Sequence, residues 1–148
     1  MRGDIQAFLN GSEAMIDQLV AWRRDFHQHP EIGLDLPRTS GIVARELAKL
    51  DLHVETGIGG SGVVGLLEGG KPGPVVMVRF DMDALPITEE TGAEYASKVD
   101  GAMHACGHDG HTAIGLGTAA LLSRIRDKVP GTVKFVFQPG EEGFSGAL

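Results

Sequence analysis

The chain has 148 residues, a hydrophobic content of 42%, a charged content of 22% and a formal net charge of −7. That length holds one domain with a real core, and the composition is far from that of disordered chains. The negative balance gives nucleic acid or an anionic membrane surface no basic patch to bind. Residues 1–6 have no signal-peptide character, no segment has the uninterrupted apolar run of a membrane span, and the single cysteine, Cys106, has no partner for an internal disulfide. A cytoplasmic protein is expected, with no nucleic-acid or membrane partner.

In chain order, Met15, Leu19, Trp22 and Phe26 recur at helical spacing between Ser12 and His29, with Asp17, Gln18, Arg24 and Asp25 between them, and predict an amphipathic helix ended by Pro30. A second helix is predicted from Val43, Leu47 and Leu50, with Thr39 as its N-cap and Glu46 and Lys49 outward. The period then changes. Short apolar or β-branched runs over 53–56, 63–68 and 75–80, punctuated by glycine and proline, predict three strands, the third of them buried. Asp109 is placed as the cap of a helix reaching about Asp127 with Ile114, Leu121, Leu122 and Ile125 inward, and Thr132 to Gln138 is a further strand. The order implies an α/β fold in which helices pack on a mixed sheet. The last ten residues fall where a following helix should start, so the fold is expected to be cut short at its C-terminal side.

Three segments carry chemistry. His104 to His111 places three imidazoles, a thiol and a carboxylate in eight positions. In an extended segment Cys106 and His108 point the same way and can reach one cation across Gly107. Taken singly, each has a structural reading as well: a buried small side chain for Cys106, a satisfied polar group for His108. The second segment, Gln138 to Gly143, puts Glu141 and Glu142 on a glycine-flanked turn after a strand. Adjacent side chains diverge there, so that one carboxylate can bind metal while the other serves as general base; the competing reading is a solvated acidic turn. The third, Arg79 to Pro86, presents Asp81 and Asp83 at the end of the most apolar strand, where either can orient a ligating histidine or simply terminate the strand.

Two other patterns fail on context. Gly57 to Gly62 satisfies G-x-G-x-x-G but leads into a strand rather than a helix, which predicts a hairpin turn and no dinucleotide. Neither Ser61 nor Ser145 lies in a G-x-S-x-G elbow, so a serine hydrolase is unsupported.

Together with Arg23 to Glu31, these three segments closely resemble, in order and spacing, the metal-dependent amidohydrolases that include hippurate hydrolase, N-acyl-amino-acid amidohydrolases and the plant auxin-conjugate hydrolases. The resemblance implies a zinc-exopeptidase-like catalytic domain of which residues 1–148 are the N-terminal portion, with the lid domain and the rest of the catalytic domain lying outside the chain. It implies two divalent metals (zinc, manganese, cobalt or nickel) and a small-molecule N-acyl amino acid substrate. Carried over by position, Cys106 is a shared metal ligand, His108 and Glu142 are ligands, Glu141 is the general base and Asp81 the orienting carboxylate. Where the wider superfamily has a metal-binding histidine, this chain has Arg79, as this subgroup does, and two further histidine ligands of the family fall beyond Leu148. The alternative expectation is a non-catalytic metal-binding or assembly module whose unfinished sheet edge pairs with a second copy in a homo-oligomer.

Overall fold

The computed structural model describes residues 2–146, arranged as α1 (Arg2–Glu13), α2 (Ile16–Gln28), α3 (Pro37–Ala48), β1 (His53–Ile58), β2 (Gly62–Glu68), β3 (Lys71–Asp81), α4 (His108–Arg124) and β4 (Pro130–Gln138). The strands form one mixed sheet in the order β1-β2-β4-β3. β1 and β2 form the antiparallel hairpin expected at the glycine-rich turn, β2 pairs antiparallel with β4, and β4 runs parallel to β3 with Phe80 opposite Phe137 and Asp81 opposite Gln138. α4 is the crossover that joins these two parallel strands.

The core forms where α3 and α4 press on the sheet. Val43 and Leu47 of α3, Leu116 and Ala119 of α4, Val63 and Leu67 of β2 and Phe135 and Phe137 of β4 are buried together, with Phe26 of α2 in the same cluster. α4 approaches closely because of its small residues: a Cβ on Gly115 would lie 2.8 Å from the rings of Phe80 and Phe137, and one on Gly117 would lie 2.5 Å from Leu19. Among the described residues no helix is long and apolar enough to cross a membrane.

Several local expectations need correction. The helix predicted over 12–29 is α2, which begins at Ile16, and a separate helix, α1, precedes it. Thr39 is buried inside α3, whose N-cap is Leu36. The orphan amides of its first turn are met from outside by the Glu31 carboxylate, which accepts from Arg38 N (3.0 Å) and Thr39 N (2.8 Å). β3 is an edge strand rather than a buried one, with Val75, Val76 and Met77 each at least half exposed. Ile114 is 57% exposed, and Leu116 takes the inward position assigned to it. Asp109 is not the cap of α4: Gly107 is, in a left-handed conformation (φ 88°) that only glycine adopts without strain.

Candidate metal centre

The crevice beyond the C-terminal ends of parallel strands is where α/β sheets collect their functional loops, and three loops meet there. Asp81 and Asp83 leave the end of β3, Glu141 and Glu142 follow β4, and Cys106, Gly107 and His108 enter α4. Cys106 and His108 do converge, but not across an extended segment. Gly107 turns the chain back, so that Cys106 lies before the turn and His108 is the first helical residue. One donor atom from each of Cys106, His108 and Glu142 lies within 4.8 Å of the other two.

His108 is set up as a ligand. Its ring is almost fully buried, and Nδ1 donates to the carbonyl of Asp83 at 2.9 Å, which leaves the Nε2 lone pair free. Four carboxylates surround this imidazole. Nε2 lies 3.6 Å from Asp81 Oδ1 and 3.8 Å from both Glu141 Oε2 and Glu142 Oε1, and Nδ1 lies 3.5 Å from Asp83 Oδ1. Glu142 Oε1 is buried without a hydrogen-bond partner among the described residues. A buried carboxylate oxygen beside an imidazole lone pair and a thiol suits a divalent cation. In the metal-free chain the Cys106 thiol is pushed up, first by its hydrogen bond to Glu142, then by desolvation and the charges of Glu142, Glu141 and Asp81; a bound cation reverses that preference and takes the thiolate.

Asp83, which sequence reasoning left level with Asp81, has the more direct part. It is buried, its carbonyl fixes the His108 tautomer, and its Oδ2 accepts from Glu142 N at 2.9 Å, tying the β4 loop to the end of β3. Asp81 instead accepts from Arg79 Nη1 (3.0 Å) and His111 Nδ1 (2.6 Å). Arg79 is itself held by Gln138, to which its Nε donates at 2.7 Å.

The histidine motif near residue 27 also finds a role that spacing alone does not reveal. His27 Nδ1 meets Asp109 Oδ2 at 2.6 Å and Nε2 meets Glu89 Oε1 at 3.2 Å, while Arg23 Nε donates to Asp109 Oδ2 at 2.9 Å. This network fixes the first turn of α4. Glu31 bridges α3 and the β3 end, its carbonyl accepting from Ala84 N at 2.8 Å. His104 is buried with neither ring nitrogen partnered among the described residues, and burial pushes its pKa down to about 4, against the opposing pull of Asp109. A cleft of about 350 Å³ beside the centre is lined by Arg23, His27, Tyr95, His104 and Cys106, among others.

The family model for peptidase family M20/M25/M40 matches residues 77–148. The chain is 47% identical over 139 residues to a hydrolase of Synechocystis, covering 93% of this chain and 35% of that protein. It is 47% identical over 131 residues to N-acyl-L-amino acid amidohydrolase of Geobacillus stearothermophilus, covering 86% and 35%. With the Arabidopsis thaliana IAA-amino acid hydrolase ILR1-like 2 the identity is 43% over 136 residues, covering 92% and 31%. Among solved structures, a Bacillus subtilis protein described as a dinuclear metal binding peptidase of the M20 family superposes with a TM-score of 0.86 at 44% identity, over 91% of this chain and 38% of that one. The chain thus spans about a third of the length of the curated relatives it matches.

Proposed function

Because the chain belongs to peptidase family M20/M25/M40, we propose that it is the N-terminal portion of the catalytic domain of an enzyme that hydrolyses the amide bond of N-acyl amino acids or related conjugates. The observation that carries this reading is the convergence of Cys106, His108 and Glu142 on one point. Thiolate, imidazole and carboxylate together suit zinc, manganese, cobalt or nickel, and by the family resemblance Cys106 would be the donor common to two ions. When bound there, a divalent metal supplies Lewis-acid polarisation of a carbonyl and acidification of water.

The chain's own residues do the rest. His108 offers Nε2 because Asp83 holds the proton at Nδ1. Asp83 also fixes the backbone of Glu142, so the Glu142 carboxylate approaches the same point as His108. Glu141 is the half-exposed neighbour, 40% exposed at its side chain, with Oε2 3.8 Å from His108 Nε2. A carboxylate that overhangs the centre and still reaches solvent takes a proton from the attacking water and returns it to the leaving amine. The substrate class follows the relatives named as N-acyl-L-amino acid amidohydrolase and IAA-amino acid hydrolase. The cleft lined by Arg23, Tyr95 and His104 provides room beside Cys106 for one end of such a molecule.

The test is acyl-amino-acid hydrolysis by a protein of the relatives' full length, with and without Glu141→Gln. The substitution should lower kcat by about 10²–10⁴-fold with metal content retained. Full activity in the substituted protein overturns the role of Glu141.

A second reading has one observation in its favour, the exposed apolar edge strand β3 with Val75, Val76 and Met77. In it the chain is an assembly module that pairs this edge with a second copy. Sedimentation of the isolated chain across a concentration series separates the two: a persistent monomer removes the assembly reading, and a stable oligomer without hydrolysis supports it.

A further inference from the structure

His111 has no part in the centre described above, yet it lies against it. Its Nδ1 is 2.6 Å from Asp81 Oδ1, its ring stacks on that of His108 at 5.7 Å, and one donor atom from each of Asp81, His108 and His111 falls within 4.8 Å of the other two. We propose that Asp81, His108 and His111 form a second divalent-cation site that needs no cysteine and that excludes occupancy by way of Cys106, because both trios draw on the single free lone pair of His108 Nε2.

The distances fit. Bonds of about 2.0–2.1 Å to nitrogen and oxygen put the ligand atoms of a tetrahedral site about 3.3 Å apart. Asp81 Oδ1 to His111 Nδ1 is 2.6 Å and Asp81 Oδ1 to His108 Nε2 is 3.6 Å, either side of that value. The carboxylate is aimed: Arg79 takes Oδ2 at 3.0 Å and is itself anchored on Gln138, so Oδ1 is the oxygen turned to both imidazoles. The positive charge of Arg79 is offset by Glu141 and Glu142, each 3.8 Å from His108 Nε2.

A cation that takes His111 Nδ1 replaces the hydrogen bond to Asp81 and leaves the imidazole proton on Nε2. Asp81 and His108 are buried and the His111 side chain is 54% exposed, so the site opens on the His111 side, with coordination positions left for water. Two nitrogens and one oxygen form a harder donor set than the Cys106 trio, which favours cobalt(II), nickel(II) or manganese(II) over thiophilic ions.

Cobalt(II) titration of the isolated chain tests this without reference to hydrolysis. The Cys106→Ser variant should still bind one cobalt per chain, without the near-ultraviolet thiolate-to-cobalt charge-transfer absorption. Adding His111→Ala should weaken that binding by about tenfold or more. Paramagnetic shifts in Cys106→Ser should fall on the ring protons of His108 and His111 and spare those of His53. Cys106 and His111 are both exposed, and circular dichroism confirms that the variants stay folded. The proposal is overturned if Cys106→Ser binds no cobalt, or if its affinity or its shifted resonances are indifferent to His111.

Discussion

His27 and His108 both meet the first turn of α4 and both are almost fully buried, yet they are put to opposite uses. His27 has each nitrogen committed to a carboxylate, Asp109 at 2.6 Å and Glu89 at 3.2 Å, and so acts as a fastener between α2, the loop after β3 and α4. His108 gives one nitrogen to a backbone carbonyl and keeps the other free, 3.6–3.8 Å from three carboxylates. Burial and residue type do not separate a ligand from a fastener. What separates them is whether the second nitrogen has a committed partner.

That contrast sets the expected effects. His108→Ala removes the lone pair on which the Cys106 trio depends, and isothermal titration with zinc should show affinity falling by more than about a hundredfold. Unchanged zinc affinity would place the ion elsewhere. His27→Leu should do the reverse. It leaves Glu89 and Asp109 short of a partner and should cost about 2–3 kcal/mol in urea unfolding, while the folded chain keeps its zinc affinity, since Arg23 still holds Asp109. Asp83→Ala lies between them: it loses the bond to Glu142 N, and zinc affinity should drop about 10–100-fold with a smaller change in stability.

A pH-dependent effect concerns His104. Its pKa in the folded chain, about 4, lies below the ordinary imidazole value of 6.5, so between those values the unfolded state binds the proton that the folded state refuses. Its contribution to stability is therefore complete above pH 6.5 and is lost as pH falls toward 4, by up to about 1.4 kcal/mol per pH unit. Urea midpoints of the metal-free chain at pH 7 and 5, compared with those of His104→Leu, measure it. Equal pH dependence in the two proteins would mean that His104 is not held neutral.

Much of this was legible in the residues. The helix–strand order, the mixed sheet and the pairing of Cys106 with His108 follow from periodicity and clustering, because these features are local, whereas the grouping of Glu142 with that pair is what the family resemblance implies. Non-local choices were not legible. The run Val75 to Phe80 reads as a buried strand because every side chain is apolar or long, but its place at the sheet edge depends on which strand β4 pairs with. Thr39 has the chemistry of an N-cap, and only the fold brings Glu31 there instead. Asp81 and Asp83 are equivalent in spacing, and they separate only when the His108 Nδ1–H arrives at the Asp83 carbonyl and the Glu142 backbone N–H at the Asp83 carboxylate.

The central claim is that Cys106, His108 and Glu142 hold one ion between them, and a zinc-loaded crystal measured at the zinc absorption edge tests it most directly. The account predicts an anomalous peak about 2.3 Å from Cys106 Sγ and about 2.0–2.2 Å from His108 Nε2 and a Glu142 carboxylate oxygen. A zinc peak bonded to His27 or His104, or one near the centre but out of bonding reach of Cys106, would contradict it.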